Sequence, residues 1–422
     1  MLPRTAQADP FTEIACDESG YEGENLAGGN TDVFAHAGVV VTTALAARTV
    51  RELRHRIRSP AEEYKANHLL REKHRPVLEW LLGPAGPLLG NARVHLTDKA
   101  YSAVGRVTDL LLGAEPGLTA GGAEHAGHVG GADPRPDPAA RARLRAAVAA
   151  AGPGRDPRAR GAAVLLRREG PRALGDEGWR AFVAAGNELM RTRCRTEEAD
   201  PVAAFFDLLD ALRRTTGAAS GSGAGRGSVA DAVAAVRPVL ERLARGRPYA
   251  EAYRAGLPAR PDDGMPVLDP LFPALLRTVE QWHADGGGAV RVVHDRQNQL
   301  TPERVALLRE FPRTAAGPGD AAAAGYGGAR PAFAELLLVR AGTDARVQLA
   351  DFLAGTARKI ASEELNGRGD ARLSALLRPY VAPSSCWAAP APFWPVRAAS
   401  TTGSPGVPPA GPECMRFVCP PP

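Results

Sequence analysis

The chain has 422 residues, a length that allows one large domain with insertions or two to three smaller domains, and we expect one elaborated domain. Apolar residues make up 44% of the chain, but no apolar run is long enough to span a bilayer and no signal peptide opens it, so we expect a cytoplasmic protein with no membrane partner. The formal net charge of +5 permits a polyanionic partner such as nucleic acid, because basic side chains neutralise phosphates.

Cysteine and lysine are both used sparingly. The five cysteines show neither the spacing of zinc ligands nor a dense disulfide framework, which favours a reducing compartment. Of the 52 basic residues only four are lysines, namely Lys65, Lys73, Lys99 and Lys359. Two of them lie beside acidic motifs, where a compact ammonium charge supplies what the planar guanidinium of arginine does not.

The first predicted element is Glu13–Gly20, an apolar-alternating run that ends in two acids, a hydroxyl and a glycine. The alternation predicts a strand, and the pair Ser19-Gly20 predicts a turn that ends it. Asp17 then lies at a strand end, where loops leave side chains accessible while the sheet fixes their positions. A polar turn is the alternative, because these residue types are ordinary turn formers.

A strand and a helix are predicted next. Val33–Val41 is β-branched and mostly apolar, so we expect a hairpin partner of the first strand, and Ala44–Arg58 has helical spacing. The segment that follows holds Glu63 and Lys65, whose side chains share one face if the backbone is extended. A solvated run of charges is the alternative for this pair.

Another carboxylate is predicted at a strand end further along. Glu72–Leu82 reads as an amphipathic helix, and Ala92–Leu96 alternates as a strand. Asp98 and Lys99 follow that strand directly, in the same arrangement as the acids after the first strand.

The middle of the chain is predicted to be a large helical and partly disordered insertion, residues 113–266. From Gly113 to Arg160 the composition is Gly, Ala, Pro and Arg in loose order, which buries too little apolar surface to order itself well. The helical patterns after it cover Ala181–Arg193, Pro201–Arg214 and Val229–Arg245.

The last predicted elements return to the pattern of the first part. Ala289–Asp295 is the clearest strand in the sequence and again delivers a carboxylate at its end, and Ala334–Val339 is a further apolar strand. Val347–Ile360 is a mostly apolar helix that carries Asp351, and an unpaired buried carboxylate is costly. Asp351 is therefore either paired with an arginine or partly exposed, or it faces other carboxylates across a bound cation.

Four of these acids suggest one site. Asp17, Asp98 and Asp295 are predicted at strand ends, and Asp351 on the late helix. Carboxylates that converge repel one another unless they share protons or a cation. Mg²⁺ prefers oxygen ligands, and a pair of such ions stabilises both the attacking and the leaving oxygen of a phosphodiester displacement. The pattern therefore predicts a nuclease site that uses Mg²⁺ or Mn²⁺.

The same motifs resemble a known family. The order Asp17-Glu18-Ser19-Gly20, Glu63 with Lys65, Asp98-Lys99, a strand ending at Asp295 and Gln348–Gly355 is similar to the bacterial family called domain of unknown function 3800. The resemblance implies an α/β, RNase H-like mixed central sheet flanked by helices. It implies a core in two parts, residues 11–112 and 267–378, that the insertion separates. The composition of residues 379–422, rich in Pro, Ala and Ser, predicts a disordered or loosely draped tail.

The resemblance also implies a metal-dependent nuclease. Asp17 is then the central metal ligand, Asp351 the ligand from the last helix, and either Asp98 or Asp295 completes the set. Glu63 lies nearby, and Lys65 or Lys99 neutralises charge in the transition state. Arg340 departs from the small polar or acidic residue found there in relatives. Two other hypotheses stay open: a non-catalytic nucleic-acid-binding or regulatory protein in a defence or mobile-element system, and a metal-dependent hydrolase of a small phosphorylated or glycosylated substrate.

Overall fold

The computed structural model describes residues 11–58, 65–113, 156–192, 200–218, 228–257, 266–286, 288–302, 304–306 and 333–388. Its strands form one five-stranded sheet in the order β3-β2-β1-β4-β5. The strands are β1 (Phe11–Ser19), β2 (Val33–Val39), β3 (Ala92–Asp98), β4 (Ala289–Asp295) and β5 (Phe333–Val339). β1, β2 and β3 pair antiparallel, whereas β4 and β5 lie parallel to β1. The predicted α/β class, with a mixed sheet flanked by helices, is confirmed.

Helices cover both faces of this sheet and form a bundle at its side. They are α1 (Thr43–Ile57), α2 (Ala66–Leu69), α3 (Arg75–Leu82), α4 (Lys99–Leu112), α5 (Pro157–Met190), α6 (Pro201–Ala218), α7 (Val229–Ala244), α8 (Arg247–Ala255), α9 (Leu271–Gly286), α10 (Ala345–Leu365) and α11 (Ala371–Leu377). No helix within the described ranges is long and apolar enough to cross a membrane.

The alternation of β1 separates two faces with different partners. Ile14 and Cys16 face α9 and form an apolar cluster with it. Ala15 faces the other way and packs with Val293 of β4 and Val347 of α10. Asp17, two residues after Ala15, therefore lies on the α10 face of the sheet.

The α10 face holds the larger part of the sheet core. Buried side chains of β2 and β3, such as Ala35 and Leu96, pack with α1, α3 and α10. α10 itself is apolar over most of its surface, because it is buried between the sheet and the outer helices. Asp351 is partly exposed within this helix.

A separate apolar cluster joins α4 to the helices α5 to α8. Those four helices lie inside the predicted insertion, residues 113–266, while residues 114–155 lie outside the described part of the chain. α5 begins 24 residues earlier than the predicted Ala181 and is interrupted at Gly175, which has a positive φ of 72°. The insertion thus packs onto the end of β3 through α4.

The prediction of a disordered tail from residue 379 is wrong for residues 379–388. This segment runs beside β3, where Cys386 N–H donates to the Leu96 carbonyl at 2.8 Å. The hydroxyl of Tyr380, a residue only 1% exposed, donates to the Leu82 carbonyl at 3.0 Å. A sheet edge with unpaired backbone groups and a buried aromatic anchor order a segment whose composition predicts disorder.

Candidate carboxylate site at the ends of the central strands

Asp17 is a buried acid on the central strand of the sheet. Its side chain is 5% exposed, and one carboxylate oxygen accepts the backbone N–H of Glu18 at 2.7 Å. The strand ends two residues later, at Ser19, and the chain turns at Gly20 with a positive φ of 80°. A side chain at residue 20 would meet the Val33 carbonyl 2.5 Å away, so glycine is required for this turn.

Asp295 is the neighbour of Asp17 on the adjacent parallel strand. The register pairs Cys16 with His294, so the next residue of each strand brings these two acids side by side on one face. Neighbouring strands lie about 4.8 Å apart, which sets the scale of the separation between the two backbones. The carboxylate of Asp295 also accepts the backbone N–H of Ala341 at 2.8 Å. Because Ala341 follows β5, this bond holds the Asp295 side chain against the end of that strand.

Asp351 approaches from α10. Three contacts join this helix to one face of β1 in the same order along both elements: Arg346 pairs with Glu13, Val347 packs with Ala15, and Arg358 Nε donates to Ser19 Oγ at 3.0 Å. Asp351 lies between the second and third of these contacts, one turn after Val347. It therefore lies opposite Asp17, the β1 residue between Ala15 and Ser19.

The pKa of Asp17 is shifted by its burial and by the neighbouring acids. Burial, followed by the carboxylates of Glu18, Asp351 and Asp295, raises the pKa of Asp17 to about 9, although the Glu18 N–H bond lowers it. A carboxylic acid in these surroundings is neutral near pH 7 unless a cation offsets its charge. The site thus favours either a shared proton or a bound positive charge.

The chemistry of these side chains suits a hard divalent cation. Asp17, Asp295 and Asp351 offer only oxygen atoms, the ligands that Mg²⁺ and Mn²⁺ prefer. Yet within the described residues no group of three or more His, Cys, Asp or Glu side chains is already placed to hold a metal ion. The two findings are compatible, because charge repulsion acts over several ångströms whereas Mg²⁺ coordination requires oxygens about 2.1 Å from one point. The oxygen donors suit the chemistry of the ion, but as placed they do not form a coordination set, so the side chains would have to move to bind it.

Lys65 is held close to this face by a tight helix contact. It is the exposed residue that precedes α2, and the next residue, Ala66, packs against Gly355 of α10. A Cβ at residue 355 would lie 2.2 Å from the Ala66 Cβ, so only glycine allows this approach. Gly355 follows Asp351 by about one helical turn, which brings the start of α2 near the site. Glu63 lies outside the described residues.

Asp98 is not brought to Asp17. Ala37 is the β2 partner of Asp17 and pairs in turn with Val94 of β3, and Asp98 lies four residues beyond Val94. Two strand spacings and four residues of strand separate the two backbones by roughly 16 Å.

The carboxylate of Asp98 has a structural environment of its own. It accepts the Tyr101 N–H at the start of α4 and pairs with Arg167 at 2.7 Å, and Asp98 is 1% exposed. The neighbouring Lys99 is also buried and donates to Glu22 and to Thr31 Oγ1. Both residues join α4 to neighbouring segments at a distance from Asp17.

The other face of the sheet carries a buried network that the sequence reasoning missed. His36 and His294 stack with ring centroids 5.3 Å apart and Nε2 atoms 3.3 Å apart. His294 Nδ1 lies 2.8 Å from the Asp295 carbonyl, which only accepts, so Nδ1 carries a proton. His294 Nε2 is also 3.6 Å from Glu18, whose other oxygen accepts from Gln297 at 2.6 Å.

This network assigns Glu18 to the opposite face from Asp17. Burial lowers the pKa of His36 well below its ordinary value, so His36 stays neutral. One oxygen of Glu18 lies 3.6 Å from His294 Nε2 and is buried without a hydrogen bond among the described residues. A histidine inside each of two predicted strands was the available signal, because alternation places Glu18, His36 and His294 on one face.

Comparisons with protein-family models, with curated proteins and with solved structures returned no match for this chain.

Proposed function

We propose that this protein is a divalent-metal-dependent, nuclease-like phosphodiester hydrolase with an RNase H-like fold, similar to the domain of unknown function 3800 family. The observation that carries the proposal is the convergence of Asp17, Asp295 and Asp351 from two adjacent parallel strands and one helix. The strand order β3-β2-β1-β4-β5, antiparallel on one side of β1 and parallel on the other, supports the RNase H-like form.

The three acids would hold Mg²⁺ or Mn²⁺. When bound, such an ion acts as a Lewis acid that makes water more acidic and offsets negative charge on the phosphate being cleaved. Asp17 supplies a carboxylate from a buried position on the strand, and Asp295 is oriented by the Ala341 N–H. Lys65 lies beside the same helix and supplies a positive charge for the phosphate oxygens.

Water is the nucleophile in this scheme. The chain's contribution is to fix the carboxylates on rigid elements, because a site built on strands and a helix holds its geometry better than one built on loops. Asp98 has no part in the reaction, because its carboxylate serves α4 and Arg167.

A non-catalytic nucleic-acid-binding protein is the second candidate. One observation favours it, namely that the described acids do not already form a group able to hold a metal ion. Such a protein would use its arginines on phosphates, and its affinity would fall steeply with salt.

The experiment that separates the two is a cleavage screen with the full chain. Single- and double-stranded DNA, RNA and DNA–RNA hybrid are each incubated with Mg²⁺ or Mn²⁺, using wild type, Asp17→Asn and Asp210→Asn. Asp210 is a matched control, an aspartate on α6 that is 53% exposed and pairs with Arg213. We expect cleavage of at least one substrate, lost by about a hundredfold or more in Asp17→Asn and retained in Asp210→Asn. Binding without any turnover by wild type would instead support the second candidate.

A further inference from the structure

A polar cavity of about 460 Å³ opens beside the carboxylate site. Its walls come from the loop after β1, from α5 and from the second half of α10. None of its lining residues belongs to the set predicted from the sequence. The cavity is large enough for a small ligand or for one unit of a polymer.

The charged residues of its lining are mainly cationic. Among the described residues four positive side chains line it, against one carboxylate, that of Asp32: the four are Arg180, Arg358, Lys359 and Arg368. Asp32 accepts a hydrogen bond from Asn366 at 2.5 Å, and Lys359 pairs with Glu363 at 2.8 Å. The balance of charge favours an anion in the cavity.

Arg358 is the cation best placed to bind one. It is half-buried, and its Nε donates to Ser19 Oγ at 3.0 Å, which fixes the direction of the guanidinium. No carboxylate of the described chain lies within ion-pair distance of it. Burial lowers the pKa of Arg358, although Asp32 and Glu22 raise it in part. A phosphate placed against the free side of this fork would receive charge-assisted hydrogen bonds.

Apolar side chains also line the cavity. They are Leu26, Ala27, Ala100, Trp179 and Val183. A cavity lined by both cationic and apolar side chains matches a nucleotide, which joins a phosphate to a flat base. A bare inorganic anion would leave the apolar side chains without a contact.

The cavity and the carboxylate site lie on one line. Arg358 follows Asp351 by seven residues, two turns of α10, so a helix rise of about 10.5 Å separates them on one face. One nucleic-acid strand laid along this face of α10 therefore passes both positions.

We propose that this cavity holds one nucleotide of a nucleic-acid strand, with its phosphate on Arg358, and that the same strand continues along α10 to a phosphate at Asp17 and Asp351. The assignment of that second phosphate rests on the proposed function, whereas the binding of a strand in the cavity does not. The ligand class is a nucleic-acid backbone phosphate with its base. A free mononucleotide shares this chemistry and is separated from a strand by the experiment.

The test measures binding in EDTA, where no metal-dependent cleavage occurs. A fluorescein-labelled single-stranded DNA of 12 nucleotides, and the RNA of the same sequence, are titrated with wild type, Arg358→Gln, Arg368→Gln and Arg51→Gln. Arg51 is an exposed arginine of α1 away from the cavity, so its substitution removes the same charge. AMP and inorganic phosphate are added as competitors.

We expect Arg358→Gln to weaken binding of at least one strand by roughly tenfold or more, because it removes hydrogen bonds to a charged group. The slope of log affinity against log salt should flatten by about 0.7, the value for one phosphate of a single strand. Arg368 is exposed, so its substitution should disturb folding little, and Arg368→Gln should weaken binding of the strand severalfold. The affinity of Arg51→Gln for the strand should stay within about twofold of the wild-type affinity.

The assignment would be overturned if both Arg358→Gln and Arg368→Gln bound the strand with wild-type affinity. It would also be overturned if Arg51→Gln lost as much affinity as Arg358→Gln. Competition by AMP with the affinity of the strand would overturn the assignment to a strand. Failure of the nuclease proposal looks different, because it appears as absent cleavage in Mg²⁺ and Mn²⁺ while the EDTA titrations keep their pattern.

Discussion

Asp17 and Asp295 occupy neighbouring positions on the two parallel strands at the centre of the sheet, on the face that α10 covers. Each carboxylate accepts one backbone N–H, from Glu18 and Ala341 respectively. Asp351 faces them from the helix and contributes to the raised pKa of Asp17. Three acids drawn from distant parts of the chain thus lie in one electrostatic neighbourhood.

The pH dependence of stability should report this neighbourhood. In the absence of divalent metal the pKa of Asp17 is raised to about 9 in the folded protein, mainly by burial, against an ordinary value of 3.8. The folded state therefore holds the proton more tightly than the unfolded chain. The contribution of protonated Asp17 to the free energy of unfolding is complete below pH 3.8. It is lost as the pH rises towards 9, at up to about 1.4 kcal/mol per pH unit.

Asp17→Asn removes that titration. Urea unfolding in EDTA at pH 5 to 8 should show the variant gaining stability relative to wild type as the pH rises, with Asp210→Asn following wild type. A stability difference between Asp17→Asn and wild type that stays constant with pH would show that Asp17 does not titrate in this way.

The contact between α2 and α10 should not tolerate a methyl group on Gly355. Gly355→Ala places its Cβ 2.2 Å from that of Ala66, and either helix must shift, at a cost of roughly 1–3 kcal/mol. Ala66→Gly in the same chain removes the clashing methyl group and should restore most of the loss. Urea unfolding of wild type, Gly355→Ala, Ala66→Gly and the double variant measures the coupling between the two residues. Strictly additive effects on the free energy of unfolding would show that the two residues do not meet.

Asp98 and Arg167 should form a structural pair with no part in cleavage. Burial raises the pKa of Asp98 in spite of Arg167, which lowers it, so the arginine is needed to keep the carboxylate charged. Arg167→Met leaves that buried acid unpaired and should cost about 3 kcal/mol in unfolding free energy. Asp98→Asn should keep the cap on α4 and retain cleavage per folded molecule. Loss of cleavage in a fully folded Asp98→Asn would restore Asp98 to the site.

The strands that build the site could be predicted from the sequence. Alternation and β-branched residues predicted β1, β2 and β4, and the acids Asp17 and Asp295 follow from where those strands stop. The choice between Asp98 and Asp295 could not be made, because it depends on strand order and register, which no local pattern encodes. Parallel pairing of β1 with β4 decides which acid is the neighbour of Asp17.

Three features of the structure could not be predicted from the sequence because they depend on contacts between distant parts of the chain. The cavity at Arg358 is formed by α5, α10 and the loop after β1, which lie far apart in the chain. His36 and His294 meet only because β2 and β4 flank β1 on its two sides. The segment 379–388 is ordered by the exposed edge of β3, a partner that its own composition does not reveal.

The central claim is that Asp17, Asp295 and Asp351 together hold a divalent cation. Its most direct test is a Mn²⁺ titration followed by electron paramagnetic resonance, which counts the free ion, with wild type, Asp17→Asn, Asp351→Asn and Asp98→Asn. We predict binding by wild type and Asp98→Asn, and at least roughly tenfold weaker binding by Asp17→Asn and Asp351→Asn. Equal binding by all four proteins, or no binding by wild type, would contradict the claim.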